Sequence, residues 1–423
     1  MNTRLKGIAC PRCKYVGTPA DAYDGCPRCK AQNIAVNMAT FYDFSQDADE
    51  LKAAFLSESG PGIWRHRAFL PVEDDVSPVT IGEGNTPLLH CKKLGKILGL
   101  NNLYIKNESV NPSWSFKDRL CSVGVTRALQ EKASTITVSS TGNHGAAAAA
   151  YSAAAGIPCI VFTLTEVPPV MKMLMQAYGA YVFALDEAND RWKIMEWCVK
   201  NLDWFPMSGY NTDVIGSNCY AVDGYKTISF ELFEQLQDLP DYIAVPNAYS
   251  DGLFGIWKGV KDLHAIGLTD KKCRMVSAEV LGSLKQTFDQ KSEKIIELEY
   301  LPSVASSIAT NIGTWQGYAA LLESDGLADI AADNELLEIQ LLLAKTEGIY
   351  AEISSVSSLV VAEKLAKAKQ LHPDDSIVAI ITSSGLKFAD ETISRSAKVP
   401  IIKADPENLF KTAKDIYGLD LTK

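Results

Sequence analysis

Residues 135–163, TITVSSTGNHGAAAAAYSAAAGIPCIVFT, decide the fold class. Two runs rich in β-branched and apolar residues, 135–140 and 157–163, flank an alanine-rich run that follows Gly142. β-Branched residues favour strands, whereas alanine has the highest helix propensity. The stretch therefore predicts a strand, a helix and a second strand, which is the repeating unit of a parallel sheet covered by helices.

The same alternation continues on both sides of this stretch. Further strands are predicted at 103–107, 180–185, 241–246, 274–280 and 376–383. Further helices are predicted at 169–179, 224–236 and 252–267. We expect an α/β fold of two three-layer α/β modules with mainly parallel sheets.

Composition and charge narrow the class of protein. The chain has 423 residues, of which 47% are hydrophobic and 22% are charged, and its formal net charge is −10. An excess of negative charge disfavours binding to nucleic acid and to anionic membranes. No apolar run approaches the ~20 residues that span a bilayer, and the N-terminal residues lack the apolar core of a signal peptide. We expect a cytoplasmic protein that binds neither nucleic acid nor membrane.

Four of the ten cysteines form one pattern, CPRCKYVGTPADAYDGCPRC at 10–29. Two CxxC pairs can place four thiolates tetrahedrally around Zn²⁺, and a segment of about thirty residues buries too little core to fold without such a ligand. The alternatives are two disulfides or four incidental thiols. We predict a structural zinc ribbon at residues 1–34, with the ligands Cys10, Cys13, Cys26 and Cys29.

A lysine in an unusual position follows the first predicted strand, in NESVNPSWSFKDRLC at 107–121. Asn111 and Pro112 end the preceding segment, and Leu120 begins an apolar-periodic run that is typical of a helix. Lys117 thus falls in the first helical turn, where the helix dipole disfavours a cation. An amine that forms a Schiff base no longer carries a full ammonium charge, which would explain this position.

Three turns at the ends of predicted strands carry polar residues. They are SSTGNHG at 139–145, VPNAYSDGLFGIWKG at 245–259 and AIITSSGLK at 379–387. The first suits a carboxylate and the second a phosphate, because helix N-termini bind anions, and the hydroxyls of the third suit a heterocyclic nitrogen. Each turn alone is also consistent with an ordinary capped helix start. Because ligands of open α/β sheets bind at the carboxyl ends of the strands, the three turns and Lys117 together predict pyridoxal phosphate.

The chain resembles the threonine synthase-type enzymes of the fold type II pyridoxal-phosphate family. The resemblance rests on GIWRHRAFLP, GEGNTPL, KNESVNPSWSFKDR, STGNHGAAAAAYSAAAG, GYKTISFE, GTWQG, GIYAEISSVSS and TSSGLK, in this order. The motifs cover roughly residues 60–390, and many members of the family also carry an N-terminal CxxC ribbon. The resemblance implies an amino-acid substrate, conversion of O-phosphohomoserine to threonine and phosphate, and a homodimer.

The resemblance also implies roles for individual residues. Lys117 would be the Schiff-base lysine, which moves protons during the reaction. Phe116 would pack near the cofactor, Asn143 would bind the ring oxygen and Thr382 the pyridine nitrogen. The residues implied at the cofactor phosphate are Tyr249, Ser250, Asp251, Gly252 and Leu253. Those implied at the substrate carboxylate are Ser140 and Thr141.

Departures from the family's pattern concern the substrate. Trp114 replaces a small glycine beside Lys117, and an indole there would narrow the substrate pocket. Ala221 stands in the position of an arginine that helps bind the substrate phosphate in the family, and EISS at 352–355 replaces EPAS. Loss of such a contact would cost about 1.5–3 kcal/mol unless Lys106 or another cation compensates, so Lys106 is a candidate substrate ligand.

The sequence leaves other functions open. The missing arginine and the added tryptophan favour β-elimination or β-replacement on a serine- or threonine-like substrate. A nucleic-acid- or protein-binding module built on the basic residues of the ribbon, and an inactive scaffold of the same fold, are further alternatives.

We expect the chain after the ribbon to form two domains. The large cofactor-phosphate domain is predicted at 35–95 and 215–423, and the small domain, which carries the substrate-carboxylate loop, at 96–214.

Overall fold

The computed structural model of the protein describes residues 4–57, 62–211, 213, 215–396 and 398–421. The strands, in chain order, are β1 (Leu5–Ala9), β2 (Val16–Gly17), β3 (Ala39–Tyr42), β4 (Leu88–His90), β5 (Asn102–Asn107), β6 (Ile136–Ser139), β7 (Cys159–Leu164), β8 (Tyr181–Leu185), β9 (Phe205–Pro206), β10 (Tyr242–Pro246), β11 (Arg274–Glu279), β12 (Leu327–Ile330) and β13 (Ser376–Ile381).

The α-helices, in chain order, are α1 (Pro27–Lys30), α2 (Ala48–Ser57), α3 (Lys92–Leu98), α4 (Lys117–Gln130), α5 (Asn143–Ala155), α6 (Pro169–Ala177), α7 (Asp190–Leu202), α8 (Lys226–Leu236), α9 (Asp251–Ala265), α10 (Ser283–Asp289), α11 (Trp315–Glu323), α12 (Asp333–Glu347), α13 (Ser357–Lys367), α14 (Asp390–Arg395) and α15 (Pro406–Tyr417). Short 3₁₀ helices lie at Pro19–Asp21, Ile63–Phe69, Glu108–Val110, Ala221–Tyr225, Ile353–Val356 and Gly385–Phe388. Within the described ranges, no helix is both long and apolar enough to cross a membrane.

The described strands form three sheets. The N-terminal sheet has the order β2–β1–β3 and is antiparallel. The largest has the order β12–β11–β10–β13–β5–β4, in which only the edge pair β4–β5 is antiparallel. The third has the order β8–β7–β6–β9 and is parallel throughout. The predicted α/β fold class with mainly parallel sheets is confirmed.

Strand pairing assigns two segments differently from the predicted domain limits. β5 (Asn102–Asn107) pairs with β13 in the six-stranded sheet, although it lies within the range 96–214 predicted for the small domain. β3 (Ala39–Tyr42) pairs with β1, beyond the predicted end of the ribbon at residue 34. Both differences arise because a strand joins the sheet in which it finds a partner, however distant along the chain. The division into domains stays a prediction.

The C-terminal segment Ala389–Lys423 forms a compact unit of its own. Its longer helix, α15, has standard ends: the Asp405 side chain accepts a hydrogen bond from the backbone N–H of Asn408, and Pro406 is the first helical residue. Gly418 closes the helix with a φ of 65°. These are the residue types that N-caps, first turns and C-caps favour.

The three polar turns follow the carboxyl ends of parallel strands, as predicted. β6 leads into α5, which begins at Asn143, and β10 leads into α9, which begins at Asp251. β13 ends directly before Thr382. Because β6 belongs to one parallel sheet and β10 and β13 to the other, the candidate site is built from both sheets.

Helix α5 is made of small residues and packs closely. Ala146 to Ala150 are all buried, and a Cβ added at Gly145 would lie 2.7 Å from the Met175 methyl carbon. Alanine gives a helix without a side-chain entropy penalty, so this helix is stable even though it presents little apolar volume. Its close packing fixes the position of its first residues, Asn143 and His144.

The N-terminal segment contacts the main body near the start of α9, since Ser217 also binds Asp251. The guanidinium of Arg12 lies over the Trp315 ring, 5.1 Å from its centroid. The side-chain amide of Asn37 donates to the carbonyl of Ser217 at 2.7 Å. These contacts connect the cysteine-rich segment with the segments 216–218 and 313–317.

Candidate active site

Lys117 lies in the first turn of α4, with its amine close to two aromatic rings. Its Nζ is 5.3 Å from the centroid of the Phe116 ring and 5.7 Å from that of Tyr225. Burial lowers the pKa of Lys117, and the Asp251 carboxylate opposes this change. Burial and the charge of Lys117 also lower the pKa of His144. The amine therefore lies near the starts of α5 and α9, in surroundings that favour its neutral, nucleophilic form.

The turn after β6 is closed by its own serine. Ser140 Oγ accepts hydrogen bonds from the backbone N–H groups of Gly142 at 3.2 Å and Gly145 at 2.9 Å. Ser140 thus caps the start of α5, and the two bonds use the lone pairs of its hydroxyl oxygen. Thr141 is half-buried in the same turn. The role of Ser140 and Thr141 at the substrate carboxylate stays a prediction.

The side-chain amide of Asn143 lies between two buried charged groups. Its Nδ2 donates to Glu352 Oε2 at 2.8 Å, and its Oδ1 accepts from Lys387 Nζ at 2.8 Å. Ser383 Oγ donates to the same Oδ1 at 3.3 Å. Burial lowers the pKa of Lys387 to about 8, against the opposing charges of Asp118 and Glu352. Lys387 is thus a second lysine whose charge is weakened by burial at this site.

The loop predicted to hold the cofactor phosphate, Tyr249–Leu253, opens helix α9. The Asp251 carboxylate accepts hydrogen bonds from the backbone N–H and the hydroxyl of Ser217, at 2.9 and 2.6 Å. These bonds hold the carboxylate away from the free N–H groups of the helix start, which a phosphate needs. Gly252 packs against Phe116, since a Cβ there would lie 2.7 Å from ring atom Cε2. The loop and the Lys117 segment are therefore in direct contact.

Thr382 links the third strand end to the same segment. Its carbonyl accepts a hydrogen bond from the backbone N–H of Phe116 at 2.9 Å. Its hydroxyl lies 2.8 Å from the hydroxyl of Ser355, in the EISS segment. The group at this strand end is a hydroxyl, which is a neutral partner for a ring nitrogen.

Buried polar atoms without partners surround this region. Among the described residues, both polar side-chain atoms of Asn247 and the hydroxyl of Ser250 are buried and have no hydrogen-bond partner. The same is true of the Tyr225 hydroxyl and of His144 Nε2, in two residues near Lys117. Because buried polar groups are nearly always hydrogen-bonded, these atoms fit a bound polar group. A phosphate at the start of α9 and a polar ring beside Lys117 would supply the missing partners, so the residues present fit pyridoxal phosphate.

Comparison with known proteins identifies the family. Residues 79–383 match the model of the pyridoxal-phosphate dependent enzymes. The chain belongs to this family of pyridoxal-phosphate-dependent enzymes. It is 32% identical over 413 residues to the threonine synthase of Methanocaldococcus jannaschii, covering 96% of this chain and 99% of the relative. It is 34% identical over 336 residues to the threonine synthase of a Bacillus species, covering 78% and 91%.

Solved structures of pyridoxal-phosphate enzymes share the architecture. Threonine deaminase isoform 2 from Solanum lycopersicum superimposes with a TM-score of 0.64 at 17% identity, covering 89% of this chain and 94% of that one. Maize serine racemase superimposes with a TM-score of 0.62 at 20% identity, covering 74% and 92%. At these identities the similarity concerns the fold alone. The predicted fold type II architecture and the resemblance to threonine synthases are confirmed.

The surroundings of Lys106 differ from those predicted from the sequence. Its amine is fully buried and donates to Glu231 Oε2 at 2.6 Å, to Gln235 Oε1 at 2.9 Å and to the carbonyl of Thr86 at 2.8 Å. An ammonium has three donors, and all three are used within the protein. The prediction that Lys106 binds the substrate is therefore wrong for this structure, because its charge is neutralised in the core.

Trp114 and Ala221, which depart from the family's pattern, lie in different surroundings. Trp114 has a φ of 62°, in the left-handed region that favours glycine, and its side chain is 46% exposed. Its role in narrowing the pocket stays a prediction. Ala221 is fully buried in the main core, 3.0 Å from a Cβ placed at Gly124. An arginine at position 221 would require repacking of this core, so the missing charge cannot be restored there by a simple substitution.

Glu352 and Lys387 are site residues to which the sequence assigns no role. Both lie in segments that carry the family resemblance, GIYAEISSVSS and TSSGLK. Their position in these segments is the only signal the sequence contains, because they approach Asn143 from 209 and 244 positions away along the chain.

The four N-terminal cysteines bring their sulfurs together. All four Sγ atoms lie within 4.8 Å of one another, with Cys10 and Cys29 at 3.7 Å and Cys13 and Cys26 at 3.5 Å. Sulfurs about 2.3 Å from a tetrahedral Zn²⁺ have separations of this size, whereas a disulfide requires about 2.05 Å. The cysteines are free thiols, and the residues fit a four-thiolate metal site.

Proposed function

We propose that the protein is a threonine synthase-type lyase, which converts O-phosphohomoserine to threonine and phosphate. The observation that carries the proposal is the convergence of three strand ends on the segment that contains Lys117. Threonine synthase relatives that cover nearly the whole chain support the reaction. An amine kept neutral by burial suits the lysine that holds pyridoxal phosphate covalently.

In this proposal, Lys117 and its neighbours divide the chemical tasks. Bound pyridoxal phosphate supplies the electron sink that makes the hydrogens of the amino acid acidic. The amine of Lys117 accepts the proton from Cα of the amino acid and delivers protons to the neighbouring carbons, because it is the basic group at the centre of the site. Asn143 donates a hydrogen bond to the ring oxygen, and the hydroxyl of Thr382 meets the ring nitrogen.

Two helix starts bind the anionic groups. The backbone N–H groups of Tyr249–Leu253 hold the cofactor phosphate at the start of α9. The turn with Ser140 and Thr141, at the start of α5, holds the substrate carboxylate by the same principle. Phe116 packs against the loop and lies beside Lys117, so it gives the reacting amine an apolar neighbour.

The proposal includes a structural zinc ion bound by Cys10, Cys13, Cys26 and Cys29. The sulfur–sulfur distances and the small size of the N-terminal sheet support it. The metal would fold the N-terminal segment and take no part in the reaction. Elemental analysis of the purified protein should give about one zinc per chain.

The remaining parts of the proposal rest on the sequence. A cytoplasmic location is proposed from the cysteine usage, because free thiols are typical of reducing compartments. A homodimer follows from the resemblance to the threonine synthases. The ranges 1–34, 35–95 with 215–423, and 96–214 remain the proposed domains.

A second candidate function is β-elimination or β-replacement on a serine- or threonine-like amino acid. The observation that favours it is Ala221, whose burial leaves no arginine for a substrate phosphate at that position. A smaller substrate without a phosphate would not need that charge. The cofactor and the role of Lys117 are the same in both candidates.

One experiment separates the two. The protein is loaded with pyridoxal phosphate, and its visible spectrum is recorded before and after addition of O-phospho-L-homoserine, L-serine or L-threonine. Release of phosphate together with threonine supports the proposed function, and formation of a 2-oxo acid from serine or threonine supports the second candidate. Borohydride reduction followed by peptide mass spectrometry should locate the cofactor on Lys117; a label elsewhere would refute both.

A further inference from the structure

The Asn143 amide is held in one orientation by groups of opposite charge. An ammonium can only donate and a carboxylate can only accept. Lys387 Nζ meets Oδ1 of the amide, and Glu352 Oε2 meets Nδ2, each at 2.8 Å. Turning the amide over would place its N–H₂ group against the ammonium and its oxygen against the carboxylate. Both hydrogen bonds would become repulsive contacts, so only the observed orientation is compatible with the two neighbours.

The two charged neighbours are themselves fixed. Lys387 is 2% exposed and Glu352 is 3% exposed. Oε1 of Glu352 accepts a hydrogen bond from Ser307 Oγ, and Ser307 is bonded in turn to Ser354 Oγ at 2.6 Å. Buried charge-assisted hydrogen bonds are stronger and more directional than exposed ones. Glu352 is therefore held independently of the amide, and burial restricts the movement of the Lys387 ammonium.

The arrangement leaves one donor of Asn143 unused. An amide nitrogen carries two hydrogens, and within the described residues only one of them has a partner, Glu352. Asn143 is half-buried at the start of α5, next to His144, whose Nε2 is a buried atom without a partner in the described part of the chain. A donor is therefore available at the start of α5, where the charge of Lys117 acts on the adjacent His144.

We propose that Lys387 and Glu352 are positioning residues that fix the Asn143 amide, so that its free N–H is always presented as a hydrogen-bond donor to the cofactor ring. This inference rests on the proposed function, since it requires pyridoxal phosphate at Lys117. Neither residue needs to touch the substrate for this role. Its effect reaches the cofactor only through Asn143.

A double-mutant cycle on cofactor binding tests the inference. The variants are Lys387→Gln, Asn143→Ala and the double substitution, each as the full chain. The dissociation constant of pyridoxal phosphate and the position of the visible absorption band are measured for each. Glutamine at 387 can accept or donate, so it tolerates both orientations of the amide. We expect Lys387→Gln to weaken cofactor binding about 10-fold and to move the band, as loss of a charge-assisted hydrogen bond would.

The decisive comparison is in the Asn143→Ala background. There we expect Lys387→Gln to change neither the affinity nor the band, because the amide on which it acts is gone. Lys387→Arg is the matched control, since it keeps the cation and should retain the wild-type band. An equal effect of Lys387→Gln in both backgrounds would overturn the inference.

Folding and cofactor attachment are controlled separately. If Lys387→Gln does not fold, Glu352→Gln replaces it in the same cycle, because this substitution keeps an acceptor and the volume but removes the charge. Its effect should also vanish with Asn143→Ala, and persistence would overturn the inference. Borohydride labelling of the wild-type protein at Lys117 tests the proposed function independently. A label at Lys117 combined with additive mutational effects would refute the positioning role alone.

Discussion

Four buried charges beside the active-site helix allow a quantitative prediction about stability. Glu231 accepts hydrogen bonds from Lys106 Nζ at 2.6 Å and from Arg119 Nη1 and Nη2 at 2.7 and 2.8 Å. Arg119 also bonds both carboxylate oxygens of Glu108, at 2.7 and 2.8 Å. The side chains are at most 1% exposed. The cluster is neutral as a whole, with two cations and two anions.

Removing one charge from this cluster should destabilise the protein far more than removing one charge of each sign. Lys106→Met leaves a buried net negative charge and Glu231→Gln leaves a buried net positive one, and each should cost about 3–5 kcal/mol of unfolding free energy. The double variant is neutral again and keeps similar volumes. Its loss should be smaller than the sum of the single losses by about 1–3 kcal/mol.

Urea unfolding of the three variants and the wild type, followed by far-ultraviolet circular dichroism, measures these values. The m-value should stay constant, so that the midpoints report stability. If the losses of the two single variants simply add in the double variant, the neutral-cluster reasoning is refuted.

The same variant tests the place of Lys106. In the folded protein, Lys106→Met should leave KM for the amino acid unchanged, because the Lys106 amine does not reach the substrate. A large rise in KM would restore Lys106 as a substrate ligand.

The same cluster makes the stability of the protein depend on pH. Burial raises the pKa of Glu231, but the charges of Arg119 and Lys106 outweigh it and hold the pKa below its usual range. A depressed folded-state pKa contributes stability that is present above the unfolded pKa, near 4.3, and is lost as the pH falls. Wild-type stability should therefore fall in acid more steeply than that of Glu231→Gln. Parallel curves for the two proteins would contradict this assignment.

Three further predictions concern the site and the ribbon. Lys117→Ala should abolish turnover while changing the unfolding free energy by less than about 1 kcal/mol, and substantial residual activity would remove Lys117 from the chemistry. Gly252→Ala should displace the Phe116 ring and destabilise the protein by about 1–3 kcal/mol, with weaker cofactor binding in absorbance titrations; a fully wild-type affinity would show that the loop tolerates the extra carbon. Replacing Cys10 and Cys26 with serine should remove the zinc and lower the melting temperature without changing the pH profile of turnover, and an unchanged zinc content would contradict the four-thiolate site.

The elements of the fold were predictable because their patterns are local. The strand predicted at 103–107 is β5 at Asn102–Asn107, and the one predicted at 241–246 is β10 at Tyr242–Pro246. Short apolar runs with β-branched residues carry this information by themselves. The partners of each strand are not local. β5 pairs with β13 near the end of the main body, and no local window of the sequence contains both strands.

The site residues likewise divide into those with a local signal in the sequence and those without one. Lys117, Asn143, Thr382 and the loop Tyr249–Leu253 follow strand ends, so the rule for open α/β sheets identifies them from the sequence. Lys106 lies in a strand between Ile105 and Asn107, and nothing near it in the sequence indicates that Glu231 neutralises its charge in the core. Charged residues that meet inside a protein look like surface residues in the sequence, because their partners lie far away along the chain.

The N-terminal segment and the loop Tyr249–Leu253, proposed to bind the cofactor phosphate, both contact the short segment at Ser217. Asn37 binds the carbonyl of Ser217, while the N–H and hydroxyl of Ser217 hold the carboxylate of Asp251. A ribbon that opens on losing its metal would release one side of this segment and let the Asp251 carboxylate turn toward the phosphate. With the proposed zinc ion at the four cysteines, metal supply and vitamin supply would then not act independently on the protein, and zinc shortage would lead to poor retention of the vitamin B6 cofactor.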